Sequence, residues 1–206
     1  MFGYYNYTVF ATFLGLVSGV FGMLFAFTDK PLISLCLLMI CGAIDMFDGK
    51  IAKTRKRTDA EKRFGIQIDS LSDLICFGVL PACIGYSVGM RHPAFWIVLA
   101  AYVLAALIRL AYFNVSEEDR QKETTECRRS YEGLPVTCCS FILPMVYLLH
   151  GRMQSVAFTW IWTAALLLIA GAFLWRFRIP KPDFKGMLGL MALGIAEFVL
   201  LALFAR

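Results

Sequence analysis

Seven long apolar segments dominate this chain of 206 residues. They cover approximately residues 9–28, 32–51, 68–89, 94–114, 134–150, 156–175 and 186–205. A membrane-spanning helix needs about 20 mostly apolar residues, so nearly every segment is long enough to cross a bilayer. The chain is 59% hydrophobic and 17% charged, against about 45–50% and about 25% in soluble domains. We therefore predict an all-α, polytopic transmembrane helix bundle rather than a disordered chain or a water-soluble enzyme.

Two of the seven segments contain residues that interrupt an apolar helix. Pro135 and Pro144 lie in the fifth segment, where proline interrupts helical hydrogen bonding, and Glu197 interrupts the seventh. We expect six core spans plus a seventh. No internal repeat or long linker is visible, so we expect residues 1–206 to form a single membrane-embedded domain.

The basic residues are distributed unevenly between the loops. Residues 52–64, 115–133 and 176–185 hold six, four and four Lys or Arg residues, whereas the opposite side holds four. The positive-inside rule places the three basic loops in the cytoplasm. The net charge of +5 is thus typical of a membrane orientation signal, and we expect membrane lipids rather than nucleic acid as partners. The sequence predicts a multi-pass protein of the cell membrane.

Four carboxylates lie at the cytoplasmic ends of the second and third segments. Asp45 and Asp48 are spaced i, i+3, and Asp69 and Asp73 are spaced i, i+4, so each pair shares a helical face. Carboxylates within membrane segments are costly and mark functional sites by default. Oxygen ligands with no His or Cys nearby favour hard divalent cations such as Mg²⁺, Mn²⁺ or Ca²⁺, and such sites commonly handle phosphoryl oxygens. The sequence therefore predicts a cytoplasm-facing metal site.

The spacing of these acids is specific enough to compare with a known motif. The motif reads Asp45-x2-Asp48-Gly49-x2-Ala52-Lys53-x11-Gly65-x3-Asp69-x3-Asp73. It resembles the signature of the CDP-alcohol phosphatidyltransferase family, in which Arg stands at the position of Lys53 and the loop before Gly65 is three residues shorter. The four acids follow the family pattern without change.

Three further segments resemble the membrane-integral phosphatidylserine synthases of that family. They are FGIQIDSLSDLICFGVLPA (64–82), IRLAYFNV (108–115) and YEGLPVT (131–137). The resemblance covers about residues 9–150. Tyr112 replaces an Arg of the second motif, and Gly15 stands where the first span of the family commonly has Asn.

The resemblance implies transfer of the phosphatidyl group from CDP-diacylglycerol to L-serine, with release of CMP and formation of phosphatidylserine. It implies two divalent ions, Mg²⁺ or Mn²⁺, held by Asp45, Asp48, Asp69 and Asp73, with Asp73 also acting as the general base. The residues expected to bind CDP-diacylglycerol are Gly49, Ala52, Lys53, Gly65, Thr12 and Ser18. Arg109 lies within a span and is expected to bind the carboxylate of serine. Homodimers are common in the family, and we expect one here.

Three other interpretations remain open from the sequence. One is a membrane scaffold that uses the acids for assembly. The same chemistry could also use a different acceptor, such as glycerol 3-phosphate, inositol phosphate or choline. Alternatively, intramembrane Asp pairs also mark ion pathways, which would fit a divalent-cation transporter. All four acids lie in one hairpin near one face of the membrane, which favours the transferase.

Overall fold

The computed structural model describes residues 7–51, 55, 58–123, 130–180 and 184–204. In this part of the chain, helices follow one another from end to end with one short pair of strands. The elements are α1 (Phe10–Phe27), α2 (Pro31–Ile51), α3 (Asp59–Asp73), α4 (Leu80–Ser87), α5 (Pro93–Glu123), β1 (Ser130–Glu132), α6 (Cys139–Tyr147), α7 (Ser155–Leu174), β2 (Arg178–Pro180) and α8 (Phe184–Phe204). A π-helical turn, Leu74–Val79, joins α3 to α4.

Five helices are long and apolar enough to cross a membrane. Among the described residues they are Phe10–Phe27, Pro31–Asp48, Asp59–Ser87, Pro93–Arg120 and Ser155–Leu174, and two shorter apolar helices cover Val136–Arg152 and Leu188–Leu203. The prediction of an all-α polytopic membrane protein is confirmed. A count of six or seven spans stays a prediction, because the apolar stretches Val136–Arg152 and Leu188–Leu203 of the fifth and seventh segments are shorter than those five spans.

Two helices extend well beyond their predicted ends. Helix α3 begins at Asp59 rather than near residue 68, because Thr58 and Glu61 form a capping box. The Glu61 amide donates to Thr58 Oγ1 over 3.2 Å, and the Thr58 amide donates to Glu61 Oε2 over 2.8 Å. Such a reciprocal pair satisfies two amides that a helix start otherwise leaves unpaired. Helix α5 likewise continues past residue 114 to Glu123, so hydropathy alone located these two ends wrongly.

A small two-stranded sheet joins the segment after α5 to the segment after α7. Strands β1 and β2 are antiparallel, with Tyr131 opposite Ile179. The Gly133 amide donates to the Phe177 carbonyl over 2.6 Å, and Gly133 has a φ of 78°, a backbone conformation that glycine adopts with little strain. The sequence analysis did not predict this sheet.

Helix α1 packs closely against the helices that carry the acids. Gly15, Gly19 and Gly22 are all buried on one side of α1. A Cβ at Gly19 would lie 2.8 Å from Cys76 Sγ, and one at Gly22 would lie 2.9 Å from a methyl carbon of Leu80. Small residues allow helices to approach closely in membranes. The α1 glycines therefore hold α1 against the π-helical turn that follows Asp73.

In the π-helical turn, a backbone carbonyl accepts hydrogen bonds from side chains of other helices. The Phe77 carbonyl accepts a hydrogen bond from the Tyr102 hydroxyl over 3.0 Å and a longer one from Cys139 Sγ over 3.6 Å. A π-helical turn departs from regular i→i−4 bonding and is frequent at functional sites. Here the turn links the end of α3 to α5 through the Tyr102 hydroxyl and to α6 through the Cys139 thiol.

Candidate functional site

Three carboxylates converge where α2 and α3 approach each other. Asp45, Asp48 and Asp69 each place a carboxylate oxygen within 4.8 Å of the other two, and all three side chains are half-buried. Asp45 and Asp48 lie almost one turn apart near the end of α2. Asp69 lies in the last turns of α3. The convergence predicted from the two spacings is therefore present between the two helices.

Asp73 lies one helical turn beyond Asp69 and belongs to the same site. It lines a small cavity together with Asp45, Asp48, Thr12 and Ser72. Its carboxyl group interacts electrostatically with those of Asp45, Asp48 and Asp69. The structure thus brings all four predicted acids together, with three in one tight group and Asp73 beside them at the cavity.

The donor chemistry of this cluster fits a divalent metal. Carboxylates this close in a partly buried setting repel one another strongly, and a hard cation relieves that repulsion while binding oxygen ligands. Asp45, Asp48 and Asp69 offer the three converging oxygens. The residues present therefore fit a divalent metal ion.

Two serines between the acids fix the orientation of α3. Ser70 Oγ donates to Asn114 Oδ1 over 3.0 Å and accepts from Asn114 Nδ2 over 2.8 Å, which ties α3 to α5. Ser72 Oγ donates to the Thr12 carbonyl over 3.4 Å, which ties α3 to α1. Because Ser70 and Ser72 flank the helical face that carries Asp69 and Asp73, these bonds hold that face toward α2.

The residues predicted to bind CDP-diacylglycerol are found in different settings. Thr12 lines the acid cavity. Ser18 is not among the residues lining that cavity, and its hydroxyl donates to the Leu14 carbonyl over 2.9 Å within α1. Gly49 directly follows Asp48 in α2, and Gly65 lies one turn before Asp69 in α3. Ala52 and Lys53 lie outside the described residues.

Arg109 is buried in α5 and holds the chain segment after β1. Its Nε donates to the Leu134 carbonyl over 3.1 Å and its Nη2 to the Gly133 carbonyl over 3.5 Å. The guanidinium also lies over the ring of Phe113 at 5.8 Å. These contacts give Arg109 an anchoring role that the sequence analysis did not predict, and its binding of serine stays a prediction.

Two polar residues that the sequence analysis did not place in the site contribute to it. Asn114 was not assigned a contact with α3, and Ser70 was not singled out. The sequence segment that could have revealed them is D-S-L-S-D, in which the two serines lie on either side of the acidic helical face.

Tyr112, which stands where the family motif has Arg, makes different contacts. Its hydroxyl donates to Glu132 Oε2 over 3.2 Å, and its ring lies under the guanidinium of Arg176.

Known proteins resemble most of the length of this chain. The family profile described as CDP-alcohol phosphatidyltransferase matches residues 6–175. A Mycobacterium bovis protein named CDP-diacylglycerol–serine O-phosphatidyltransferase is 28% identical over 202 residues, which is 92% of this chain and 68% of that protein. A Saccharomyces cerevisiae protein of the same name is 35% identical over 147 residues, or 68% of this chain and 51% of that protein.

An archaeal relative carries a related name. The archaetidylserine synthase of Methanothermobacter thermautotrophicus is 31% identical over 161 residues, which is 77% of this chain and 62% of that protein. The profile match covers all four acids, both anchoring serines and Asn114. The family predicted from the sequence is thus confirmed: this chain belongs to the CDP-alcohol phosphatidyltransferase family.

Proposed function

We propose that this chain transfers the phosphatidyl group of CDP-diacylglycerol to the hydroxyl of L-serine, releasing CMP and forming phosphatidylserine. The observation that carries the proposal is the convergence of Asp45, Asp48 and Asp69 within 4.8 Å, with Asp73 on the same cavity. The relatives named for serine transfer include one that aligns with 92% of this chain. This is the activity that the sequence predicted.

Asp45, Asp48 and Asp69 would hold the metal, with Asp73 completing the set if two ions bind. A bound Mg²⁺ or Mn²⁺ supplies electrostatic neutralisation of the pyrophosphate and of the departing CMP. The protein contributes a fixed arrangement of oxygens, because α3 is tied to α5 on one side of its acidic face and to α1 on the other. Ser70 and Ser72 provide those two attachments.

Asp73 is the proposed general base. Its carboxylate would accept the proton of the serine hydroxyl as that oxygen attacks the phosphorus atom of the lipid phosphate. A carboxylate is a weak base for an alcohol, so the proton transfer must coincide with bond formation in the transition state. The position of Asp73 beside, rather than within, the tight three-acid group supports a role that differs from that of the other acids.

The remaining substrate contacts are proposals from the family motif. Gly49, Ala52 and Gly65 would leave room for the CDP group, and Lys53 would contact a phosphate. Thr12 lines the cavity and is better placed than Ser18, whose hydroxyl is engaged within α1. Arg109 would bind the serine carboxylate while it holds the carbonyls of Gly133 and Leu134.

We further propose a single catalytic domain over residues 1–206 that forms a homodimer in the cell membrane. The most basic stretch of the chain, residues 52–64, follows the acidic end of α2 and precedes Asp69 and Asp73 of α3. By the positive-inside rule this end faces the cytoplasm, where CMP would be released. A cysteine-accessibility assay with a membrane-impermeant reagent at Thr58→Cys tests the orientation.

The activity is tested by CMP release from CDP-diacylglycerol in detergent with Mg²⁺ or Mn²⁺. L-serine, glycerol 3-phosphate, inositol phosphate and choline are supplied separately. We expect release with serine alone and a loss of about 10²–10⁴-fold in Asp73→Asn, the usual contribution of a general base. Asp59→Asn is the matched control, because Asp59 is on the same helix with its side chain 92% exposed; it should retain activity.

The outcomes separate the alternatives. Release with another alcohol would keep the chemistry and replace the acceptor. If folded protein with metal released no CMP with any alcohol, the transferase proposal would fail and divalent-cation flux in liposomes would be measured next.

A further inference from the structure

A groove of about 530 Å³ opens between the first turns of α5 and α7. Phe95 and Val98 of α5 line one wall, and Trp160 and Leu167 of α7 line the other. Cavities that bind small ligands commonly measure about 300–1,000 Å³. The groove shares no residue with the acidic cavity, so it is a separate feature of the described part of the chain.

The groove lies at the opposite end of the bundle from the acids. Helix α5 begins at Pro93 beside the groove, and farther along it carries Asn114, which bonds to Ser70 of α3. At 1.5 Å per residue, the path along α5 from Pro93 to Asn114 is about 32 Å. Because the hydrocarbon core of a bilayer is about 30 Å thick, the groove and the acids lie in opposite leaflets.

The length of the groove matches one leaflet. Its lining residues on α7 extend from Val156 to Leu167, a rise of about 16–17 Å along the helix axis. Half of the hydrocarbon core is about 15 Å. An acyl chain that follows α7 from the membrane surface to the middle of the bilayer therefore fills the groove.

The interior of the groove is apolar, although two threonines line it. Thr159 Oγ1 donates to the Ser155 carbonyl over 3.0 Å, and Thr163 Oγ1 donates to the Thr159 carbonyl over 2.7 Å. Phe95 and Trp160 meet edge to face, with ring centroids 5.3 Å apart. Since a polar ligand without hydrogen-bond partners is costly to bury, these walls favour a hydrocarbon chain.

The mouth of the groove offers a hydrogen-bond donor. His92 lines the groove, and its Nδ1 accepts the Ala94 amide over 3.3 Å. A neutral imidazole that accepts at Nδ1 carries its proton on Nε2. His92 Nε2 can therefore donate to an oxygen atom of a headgroup at the membrane surface.

The loops at this end of the bundle have a net positive charge. They are residues 28–30, 88–92 and 148–154, and their Lys, Arg and Asp residues are Lys30, Arg91, Arg152 and Asp29. Asp29 pairs with Arg91, which leaves the charges of Lys30 and Arg152. An anionic headgroup complements this surface better than a zwitterionic one.

We propose that the groove binds an anionic glycerophospholipid from the leaflet opposite the acidic site. One acyl chain lies between α5 and α7, and the phosphate lies at His92 beside the basic loops. The bound lipid bridges the beginnings of two helices that start side by side, so it stabilises the folded bundle. The lipid is a ligand distinct from CDP-diacylglycerol, whose reacting phosphates belong at the acids in the other leaflet.

The site is tested on the delipidated full chain in detergent with two probes that carry the same acyl chains. These are palmitoyl-oleoyl phosphatidylglycerol, which is anionic, and palmitoyl-oleoyl phosphatidylcholine, which is zwitterionic. Native mass spectrometry measures the lipid bound, and thermal unfolding measures stabilisation. We expect tighter binding of phosphatidylglycerol, at about one lipid per chain, and a higher melting temperature in its presence.

Variants that fill the groove test the location. Val98→Trp places a bulky ring in the groove and should weaken phosphatidylglycerol binding by at least about tenfold. Its matched control is Ile97→Trp, because Ile97 is the neighbouring residue, is 74% exposed and does not line the groove. If Val98→Trp does not fold, Leu167→Trp takes its place, with Leu168→Trp as the control, since Leu168 is also 74% exposed and outside the lining.

A second pair of variants tests the headgroup contact. His92→Ala should lose most of the preference for phosphatidylglycerol over phosphatidylcholine, whereas His92→Gln keeps a donor and should retain it.

Three outcomes would overturn the proposal. They are equal binding of the two lipids by wild-type protein, equal binding by Val98→Trp and Ile97→Trp, and a lipid-free dimer that Val98→Trp dissociates, which would make a second copy of the chain the occupant. Because neither measurement depends on turnover, the result is independent of the proposed transferase activity.

Discussion

Asn114 Nδ2 donates a hydrogen bond to Ser70 Oγ over 2.8 Å, joining residues that are 44 positions apart in the chain. The bond fixes α5 against the residue that follows Asp69. It is reinforced by the return bond from Ser70 Oγ to Asn114 Oδ1. An acid that must share a cation with two acids of another helix depends on such support, because partners behind the ligands set their orientation.

Removing this support should weaken metal binding. We expect Ser70→Ala and Asn114→Ala each to raise the Mg²⁺ concentration for half-maximal CMP release by about 10–100-fold, the usual effect of losing an outer-shell partner. The KM for CDP-diacylglycerol should change much less. Ser70→Thr keeps the hydroxyl and should stay near wild type, and the half-buried Ser116 of α5 provides the control Ser116→Ala.

The two positions should also act as one unit. Residues that share a hydrogen bond are non-additive, typically by about 0.5–3 kcal/mol. The double variant Ser70→Ala/Asn114→Ala should therefore require little more Mg²⁺ than either single variant. Fully additive effects would show that the two residues act independently of their bond.

Metal removal should abolish activity reversibly. Chelation is expected to stop CMP release, and added Mg²⁺ or Mn²⁺ should restore it, because the three converging carboxylates cannot replace the charge that a cation supplies. Asp48→Asn should raise the metal concentration for half-maximal CMP release further than loss of an outer-shell partner does, which is about 10–100-fold. Asp29→Asn, at an exposed acid outside the site, is the control. Full activity in chelator would contradict metal dependence.

Arg109 should affect both stability and serine use. Arg109→Ala leaves the Leu134 carbonyl without the bond that Nε supplies, and an unsatisfied buried polar group costs about 1–3 kcal/mol, so the melting temperature should fall. Arg109→Lys keeps the charge but loses the planar fork. We expect it to raise the KM for serine more than the KM for CDP-diacylglycerol. An unchanged serine KM in folded Arg109→Lys would remove Arg109 from the acceptor site.

The parts of this molecule that were predictable follow from local periodicity. Within the described residues, apolar runs located the apolar part of each long helix, and the i, i+3 and i, i+4 spacings of the acids located the site. Helix ends were predicted less well, since α3 already begins after Thr58 and α5 continues as far as Glu123. The T-x-x-E capping box at Thr58 was a readable sign of the earlier start.

Contacts between distant segments were not predictable from the same patterns. The Ser70–Asn114 bond, the bonds from Cys41 Sγ and Cys76 Sγ to the Gly15 carbonyl, and the pairing of β1 with β2 depend on how distant segments are placed against one another. A helix that faces lipid carries apolar residues on its buried face and on its exposed face alike. Hydropathy therefore does not indicate which face packs against the other helices. For example, Leu168 and Leu174 of α7 are exposed while Leu166 is buried.

Gly133 offers the sharpest test of the sheet that holds the segment after α5. At its φ of 78°, a Cβ would lie 2.9 Å from the Trp175 carbonyl oxygen, and non-glycine residues at such a φ are strained. Gly133→Ala should therefore destabilise the protein by about 1–3 kcal/mol and lower the melting temperature. It should also reduce activity, because the Gly133 and Leu134 carbonyls are the ones that Arg109 holds.

The matched substitution is Gly171→Ala in α7. A Cβ there meets no atom within 4 Å, and alanine is favoured over glycine inside a helix by about 0.5–1 kcal/mol. Gly171→Ala should thus leave the melting temperature unchanged or raise it. Equal melting temperatures for the two variants would mean that the β1–β2 connection contributes nothing to the stability of the bundle, and Arg109 would then have to act through the substrate rather than through the backbone it anchors.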